Sequence, residues 1–438
     1  MTSSLSSLRL LAPAGGPEQL QMALHFGADE VFLAGKHWGM RARSKNFDRE
    51  QLACAVKQAH AQHATVHLTL NTILRDSDID EMPEYLDFIN QIGIDAVIVA
   101  DLGAMALVRR YAPNVEMHIS TQTSVMNALA AEEYMRLGAR RLVLAREMTL
   151  DEIAQLKKRI SPELELEVFA HGSMCMAMSG RCFLSSELVG RERGANAGAC
   201  TQPCRWGWAL IEESKPDTRR MSLEQDDRWS YILSSNDLCM LEHLDDIAAA
   251  GVTAIKLEGR VKGAYYTACV TNAYRHVLDG ESAASWIGEL DAVSHRPYST
   301  GFFYGNPTQN PGNIDYVRDR LMVATVISCS DAPAEKPAAL EDPTTAFAEK
   351  PNEPCSVTPS NQPLYEVLIH CRNKLELPAQ IQILSPGQHV RECELDQVYE
   401  WNGYDAFTPQ TCMSRAMGTY RIFLPYRVDE HDIICLKQ

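Results

Sequence analysis

ATVHLTLNT (residues 64–72) is a short apolar run that alternates, closes on polar residues and is followed by a stretch with helical periodicity. The same unit recurs downstream as AVIVAD (96–101), EMHIST (116–121) and RLVLARE (141–147). Upstream lie RLLAPAG (9–15) and EVFLAG (30–35); further on come ELEVFAHG (165–172) and TAIKLEGR (253–260). Amphipathic periodicity predicts helices beginning at Pro17 and near Arg49, then over Pro83–Ile92, Gly103–Tyr111, Ala128–Leu137, Leu241–Ala250 and Ala268–Asp279. Short apolar strands alternating with helices indicate a parallel sheet. Eight such strands are the number that closes a TIM-type (β/α)8 barrel, an α/β fold.

Barrels of this kind carry their chemistry at the C-terminal strand ends. The polar residues there are Asn71, Asp101, Ser120, Gln122, Arg146, Glu147, His171, Lys256, Glu258 and Arg260. Each singly reads equally well as a solvated loop residue; together they place His171 and the Lys256, Glu258 and Arg260 group on one rim. From them come candidate proton-transfer groups, His171 and Glu258, and candidate substrate-binding groups, Asn71, Gln122, Arg146, Lys256 and Arg260.

Between strands seven and eight runs a long insertion. Residues 165–207, ELEVFAHGSMCMAMSGRCFLSSELVGRERGANAGACTQPCRWG, together with Cys239 in SSNDLCML, hold five of the 13 cysteines. Cys175, Cys182, Cys200, Cys204 and Cys239 sit among Gly, Arg and Ser, whereas Cys54, Cys269, Cys329, Cys355, Cys371, Cys393, Cys412 and Cys435 read as small buried hydrophobes. No signal-peptide pattern opens the chain and no apolar run of membrane-spanning length occurs, so a cytoplasmic protein without a membrane partner is expected. Thiols there stay reduced, and clustered ones bind metal more often than they form disulfides. Structural zinc favours paired C-x2-C knuckles. The wider C-x6-C of Cys175 and Cys182, the C-x3-C of Cys200 and Cys204 and the solitary Cys239 suit an iron–sulfur cluster held between loops. Cys175, Cys182 and Cys239 are the firmer ligands; of Cys200 and Cys204, Cys200 is preferred. The pair His171 and Cys175 also invites a thiol-protease reading, but a cysteine committed to a cluster cannot attack.

The formal net charge of -16 argues against unselective coating of nucleic acid, which needs a positive field. A local basic patch is compatible with it: Arg181, Arg191, Arg193 and Arg205 fall in the cysteine stretch. The sequence divides into a disordered, Ser-rich start at 1–8, a barrel at 9–328 whose cysteine loop spans 171–239, a Pro/Ala/Glu-rich linker at 329–362, and a small all-β barrel or sandwich at 363–438. In the last, LYEVLIHC, AQIQILSP, HVRECEL and YRIFLPY read as strands. Zincin, nucleophile-elbow and phosphate-loop motifs are absent.

LLAPAG, EVFAHGSMCMAMSGRC, GACTQPCRW, SSNDLCMLEHL, KLEGRVKGAYY and HRPYSTGFF together resemble the collagenase-like peptidase family from residue 9 to about residue 307. That resemblance implies a barrel bearing a [4Fe–4S] cluster, with Cys175, Cys182, Cys200 and Cys239 at the matching positions and Cys204 used in another branch. Length is similar to the tRNA-hydroxylating branch, which implies conversion of wobble uridine to 5-hydroxyuridine. Prephenate or a similar small anionic donor would supply the hydroxyl group, and an electron-donor protein is a further partner. Rival expectations are a collagenase-like peptidase, hydroxylation of another RNA or of a quinone precursor, and a scaffold that binds RNA without turnover.

Overall fold

The computed structural model describes residues 4–40, 46–174, 182, 184–190, 193, 199–203, 206, 236–305, 319–332, 364–404 and 406–437. The chain forms two compact units, Met1–Arg318 and Asp319–Gln438. In the first, β1 (Arg9–Pro13), β2 (Glu30–Leu33), β3 (Thr65–Leu70), β4 (Ala96–Val99), β5 (Glu116–Ile119), β6 (Ala139–Val143) and β7 (Glu165–Ser173) pair in parallel in chain order. After a short β8 (Asp237–Cys239), β9 (Ala254–Leu257) pairs in parallel with both β7 and β1 and closes an eight-stranded barrel. The expected TIM-type barrel is the fold observed.

Among the described residues, helices join the strands, seven of them near where the periodicity places them and two, Leu150–Lys157 and Leu184–Val189, that it did not mark. They are α1 (Pro17–His25), α2 (Arg49–Ala61), α3 (Asp76–Ile92), α4 (Leu102–Tyr111), α5 (Ala128–Arg136), α6 (Leu150–Lys157), α7 (Leu184–Val189), α8 (Leu244–Ala249) and α9 (Ala264–Leu278). Pro17 opens α1, where its missing N–H costs nothing. In α2, Asp48 and Gln51 form a reciprocal capping box. Asp101, on the rim in the sequence reading, proves to be a cap: its carboxylate accepts from Gly103 and Ala104 at the start of α4. Boundaries differ by a few residues, as at α9, which begins at Ala264 and not Ala268, and by more at α3. Pro83 lies inside α3, which begins at Asp76, because Arg75 and Asp78 satisfy the first turn before the proline is reached. No helix among the described residues is long and apolar enough to cross a membrane.

The barrel interior is charged near its N-terminal end. Arg141 donates to both Glu30 oxygens at 2.6 and 2.8 Å, to Glu167 at 3.1 Å and to Glu165 at 2.9 Å, while Lys256 donates to Glu167 at 3.0 Å. Arg9 completes the lattice through Glu165 and Glu30. Arg141, Glu167, Glu30 and Lys256 are all buried. Burial opposes the Arg141 charge, but the Glu30 hydrogen bonds and the Glu30 and Glu167 charges outweigh it and raise its pKa. Burial likewise opposes ionisation of Glu167, and Lys256 and Arg141 reverse that, lowering its pKa. Lys256 is therefore corrected: it holds Glu167 inside the barrel, with its ammonium 4.3 Å from the centre of the Phe32 ring, and is not a rim group for substrate.

Two boundaries are also corrected. Ser4–Ser7 form a 3-10 turn whose Leu5 and the following Leu8 are buried, so residues 4–8 are ordered by burial of apolar side chains. β11 (Arg320–Asp331), most of which falls inside the barrel bounds expected from sequence, instead pairs with β12 (Tyr365–Cys371) and β20 (Ile433–Lys437) in the middle of the second unit. The division falls before Asp319 and not after Ser328.

That second unit is an antiparallel half-barrel. Its eight-stranded sheet runs β15 (Arg391–Leu395), β14 (Ala379–Leu384), β20, β11, β12, β19 (Thr419–Leu424), β16 (Val398–Trp401) and β17 (Phe407–Gln410). β13 (Leu375–Glu376) and β18 (Cys412–Met413) make a separate pair. Period-two alternation sends Tyr420, Ile422 and Leu424 inward and leaves Arg421 and Phe423 on the other face. The core is apolar, with Val323, Val367, Ile369, Ile381, Ile383, Ile422 and Ile434 all buried. Most of the expected linker, and the part of the cysteine loop at 207–235, lie outside the described residues.

Candidate functional site

At the C-terminal mouth the chain turns back on itself. β8 runs antiparallel to the end of β7, with His171 opposite Cys239 and Gly172 opposite Leu238, and β10 (Tyr298–Ser299) adds to β8 in parallel. Gly172 makes this possible. Its φ is +98°, and a Cβ there would meet the Glu258 carbonyl oxygen at 2.3 Å, so only glycine lets β7 pass so close to the turn after β9. The Glu258 N–H in turn donates to the His171 carbonyl at 2.9 Å. Two segments separated by more than 60 residues in sequence are thereby brought to one edge of the barrel.

The candidate cysteines share a local geometry. The Cys182 sulfur accepts from the Leu184 N–H at 3.4 Å, and the Cys200 sulfur from the Gln202 N–H at 3.3 Å. Cys239 repeats the pattern with the N–H of Leu241. In each case the donor lies two residues on, a turn that points a backbone N–H at sulfur. Burial pushes the Cys239 thiol up to about 11, and the Leu241 N–H and the Tyr274 hydroxyl pull against it. Ser185 helps join two of these turns, accepting the Thr201 N–H at 3.0 Å. Cys175 and Cys204, like Arg181, Arg191 and Arg205, lie outside the described residues. Three cysteines in N–H···S turns, one of them opposite His171, fit a thiolate-bound group such as an iron–sulfur cluster.

His171 is wrapped rather than open. It is 1% exposed, its Nδ1 lies 3.4 Å from the Tyr274 hydroxyl, and the rings of Tyr266, Tyr274 and Tyr298 pack around it at 5.4–6.1 Å. Burial first, then the positive fields of His295 and Lys262, hold its pKa down at about 3. Near neutral pH that leaves a neutral imidazole, enclosed in the fold and not presented openly as a proton-transfer group. Its Nε2 is buried without a partner among the described residues.

Arg146 lines a small cleft with Val168, Phe169, Met174, Leu238 and Phe303. Its guanidinium lies 3.8 Å from the Phe169 ring centre and donates to the Ser173 carbonyl at 3.0 Å. Leu238 brings the short strand β8, which carries Cys239, to the cleft's lining. Asn71 and Gln122 belong to a second polar set. Asn71 accepts the Met40 N–H at 3.2 Å and donates to Ser120 at 3.4 Å, while Gln122 donates to the Met40 sulfur at 3.2 Å. Arg260 is 4% exposed and donates to Asn46 at 3.1 Å, so packing, and not open presentation to an anion, sets its position.

One grouping lay beyond sequence reasoning. His67, His118 and Glu167 present ligand atoms within 4.8 Å of one another inside the barrel. Both Glu167 oxygens are already taken, Oε1 by Lys256 and Oε2 by Arg141, and two adjacent cations repel a metal ion. The trio belongs to the ion-pair lattice. Tyr274 was also missed, since ACVTNAYRHVLD reads only as a closing helix; no pattern in one chain marks a tyrosine whose contacts are all distant in sequence.

Comparison with known proteins adds a family. The model of peptidase family U32 matches residues 15–313. An uncharacterized protease of Methanocaldococcus jannaschii is 39% identical, covering 69% of this chain and 74% of that protein. tRNA hydroxylation protein P1 of Bacillus subtilis is 36% identical over 68% of this chain and 71% of its own. A collagenase of Porphyromonas gingivalis is 32% identical over 69% and 75%.

Proposed function

The chain belongs to peptidase family U32, and from that premise we propose that it hydroxylates RNA, with tRNA as the substrate. The reading is supported by the kinship with a tRNA hydroxylation protein. The observation that carries it is the set of N–H···S turns at Cys182, Cys200 and Cys239, the last paired across β7 and β8 with His171. A thiol peptidase uses one cysteine, whereas three held in such turns suit a thiolate-bound redox group.

In finer detail, the product is 5-hydroxyuridine at the wobble position, and prephenate or a similar anionic donor supplies the hydroxyl group. Cys175, Cys182, Cys200 and Cys239 would hold a [4Fe–4S] cluster, with Cys204 as the alternative to Cys200. The cluster, when bound, supplies one-electron redox chemistry or a Lewis-acidic iron. The chain's own residues do the rest. Arg146, flat against Phe169 in the cleft, orients an anionic or carbonyl group of the substrate. Phe169, Phe303 and Met174 exclude water from the cleft. Asn71 and Gln122 supply hydrogen bonds at the mouth, and the buried Gln122 Oε1 has no partner among the described residues. Glu258 is the remaining candidate for proton transfer, its backbone pinned by His171 and by the Tyr266 hydroxyl.

The test is nucleoside mass spectrometry on separately purified tRNA and ribosomal RNA from a strain lacking this gene, complemented with the wild-type or Cys239→Ala chain. Loss of 5-hydroxyuridine and its derivatives from tRNA, restored by the wild type alone, is expected. Full restoration by Cys239→Ala would remove the cluster from the reaction. Unchanged tRNA and altered ribosomal RNA would move the substrate.

A further inference from the structure

Resting on the cluster reading above, we propose that Tyr274 is a positioning residue for the metal-bound Cys239, its hydroxyl donating to the cysteine sulfur and His171 holding that hydroxyl in place. The argument is a hydrogen-bond account of one buried oxygen. Tyr274 comes from the middle of α9 and is fully buried. Its oxygen lies 2.8 Å from the Ala170 carbonyl, 3.1 Å from the Met240 nitrogen, 3.4 Å from His171 Nδ1 and 3.9 Å from the Cys239 sulfur. The phenol has one proton and two lone pairs. With that proton on Ala170, the Met240 N–H and a His171 Nδ1–H both donate into the oxygen. The imidazole is then the Nδ1–H tautomer.

The account leaves one acceptor with two donors. The Ala170 carbonyl receives the Tyr274 hydroxyl and also, at 2.9 Å, the same Met240 N–H, which is shared between the carbonyl and the phenol oxygen. The hydroxyl can therefore rotate away without orphaning a buried carbonyl. Its nearest other acceptor is the Cys239 sulfur, already within reach of a hydrogen bond to sulfur. A neutral thiol has little hold on that proton; a metal-bound thiolate, carrying negative charge in a buried site, has much more. Turning toward sulfur gives Cys239 a second donor beside the Leu241 N–H, while the His171 Nδ1–H polarises the phenol from behind. Hydrogen bonds to a cluster's sulfur atoms favour its more reduced, more negative state and so raise its reduction potential. This role also explains why His171 is enclosed by three tyrosines at the mouth of the barrel: it serves as a fixed neutral donor.

The experiment uses the full chain, reconstituted anaerobically with iron and sulfide, with iron content, electron paramagnetic resonance and a redox titration of the cluster as readouts. Tyr274→Phe keeps the ring and removes the hydroxyl; it is expected to bind iron like the wild type and to titrate at a more negative potential. His171→Phe, which keeps a ring and removes the Nδ1–H, shifts in the same direction by less. A Tyr274→Phe protein with full iron and an unmoved potential overturns the inference while leaving the cluster reading intact. Should Tyr274→Phe fail to fold, an unmoved potential in His171→Phe overturns it equally. A wild-type chain that takes up no iron overturns the cluster reading and this inference together.

Discussion

The two units solve the problem of a closed interior in opposite ways. The half-barrel is filled by Val, Ile and Leu side chains, and its stability is that of apolar burial. The (β/α)8 barrel places Arg141, Lys256, Glu30 and Glu167 inside, with His67 and His118 against them. Burial of these charges is tolerable because each carboxylate faces a guanidinium or an ammonium at 2.6–3.1 Å. Such a lattice stabilises less than its contact list suggests, yet it is fragile, because removing one member strands the others. The half-barrel core degrades by degrees; the charged interior is all or nothing.

Arg141→Ala should therefore have the largest effect. It leaves Glu30 and Glu167 buried beside fewer cations, and a loss of about 3–5 kcal/mol is expected in denaturant unfolding followed by circular dichroism. A loss below about 1 kcal/mol would mean that water or a relaxed strand replaces the guanidinium, and the contrast between the interiors would collapse. Ile369→Ala, a cavity in the apolar core, should cost about 2–5 kcal/mol. Hydrogen exchange should show the lost protection centred on residues 319–438; loss centred on the barrel strands instead would break the division into two units.

Acidification sharpens the comparison next. His67 and His118 are held well below their ordinary pKa by burial and by neighbouring positive charge, and His171 is held at about 3. The unfolded chain, with histidines near 6.5, binds protons that the folded barrel refuses. Their neutral state is fully compatible with folding above about pH 6.5, and stability falls as pH drops through 6.5 toward the folded values. Between pH 7 and 5 each histidine should remove about 1–2 kcal/mol from the barrel. A barrel equally stable at both values would show that these rings accept protons in the fold. The smallest change belongs to the surface: Arg49→Ala, breaking an exposed 2.8 Å pair with Glu84, should cost about 0–1 kcal/mol, and a larger loss would implicate its packing on Tyr85 and Phe88.

Local signals made much of this legible. Alternating apolar runs with intervening helical periodicity are properties of neighbouring residues, so the barrel could be read from RLLAPAG through TAIKLEGR. The cysteine stretch stood out because thiols among Gly, Arg and Ser are poor core formers. The unit to which Arg320–Asp331 belongs was not legible, since its partners β12 and β20 lie far along the chain.

Sequence by itself thus determined the barrel, the presence of a second β unit and the cysteines that merit attention. Tertiary structure decided which way each polar residue faces. Lys256 read as a rim group until barrel closure turned it inward, because the carboxylate that makes its burial tolerable, Glu167, comes from β7. His171 read as a catalytic base until β8 and α9 enclosed it, and desolvation, a property of everything around a residue, set its charge. Periodicity is written in adjacent residues; burial, pairing and pKa are written by residues that meet only when the chain has folded.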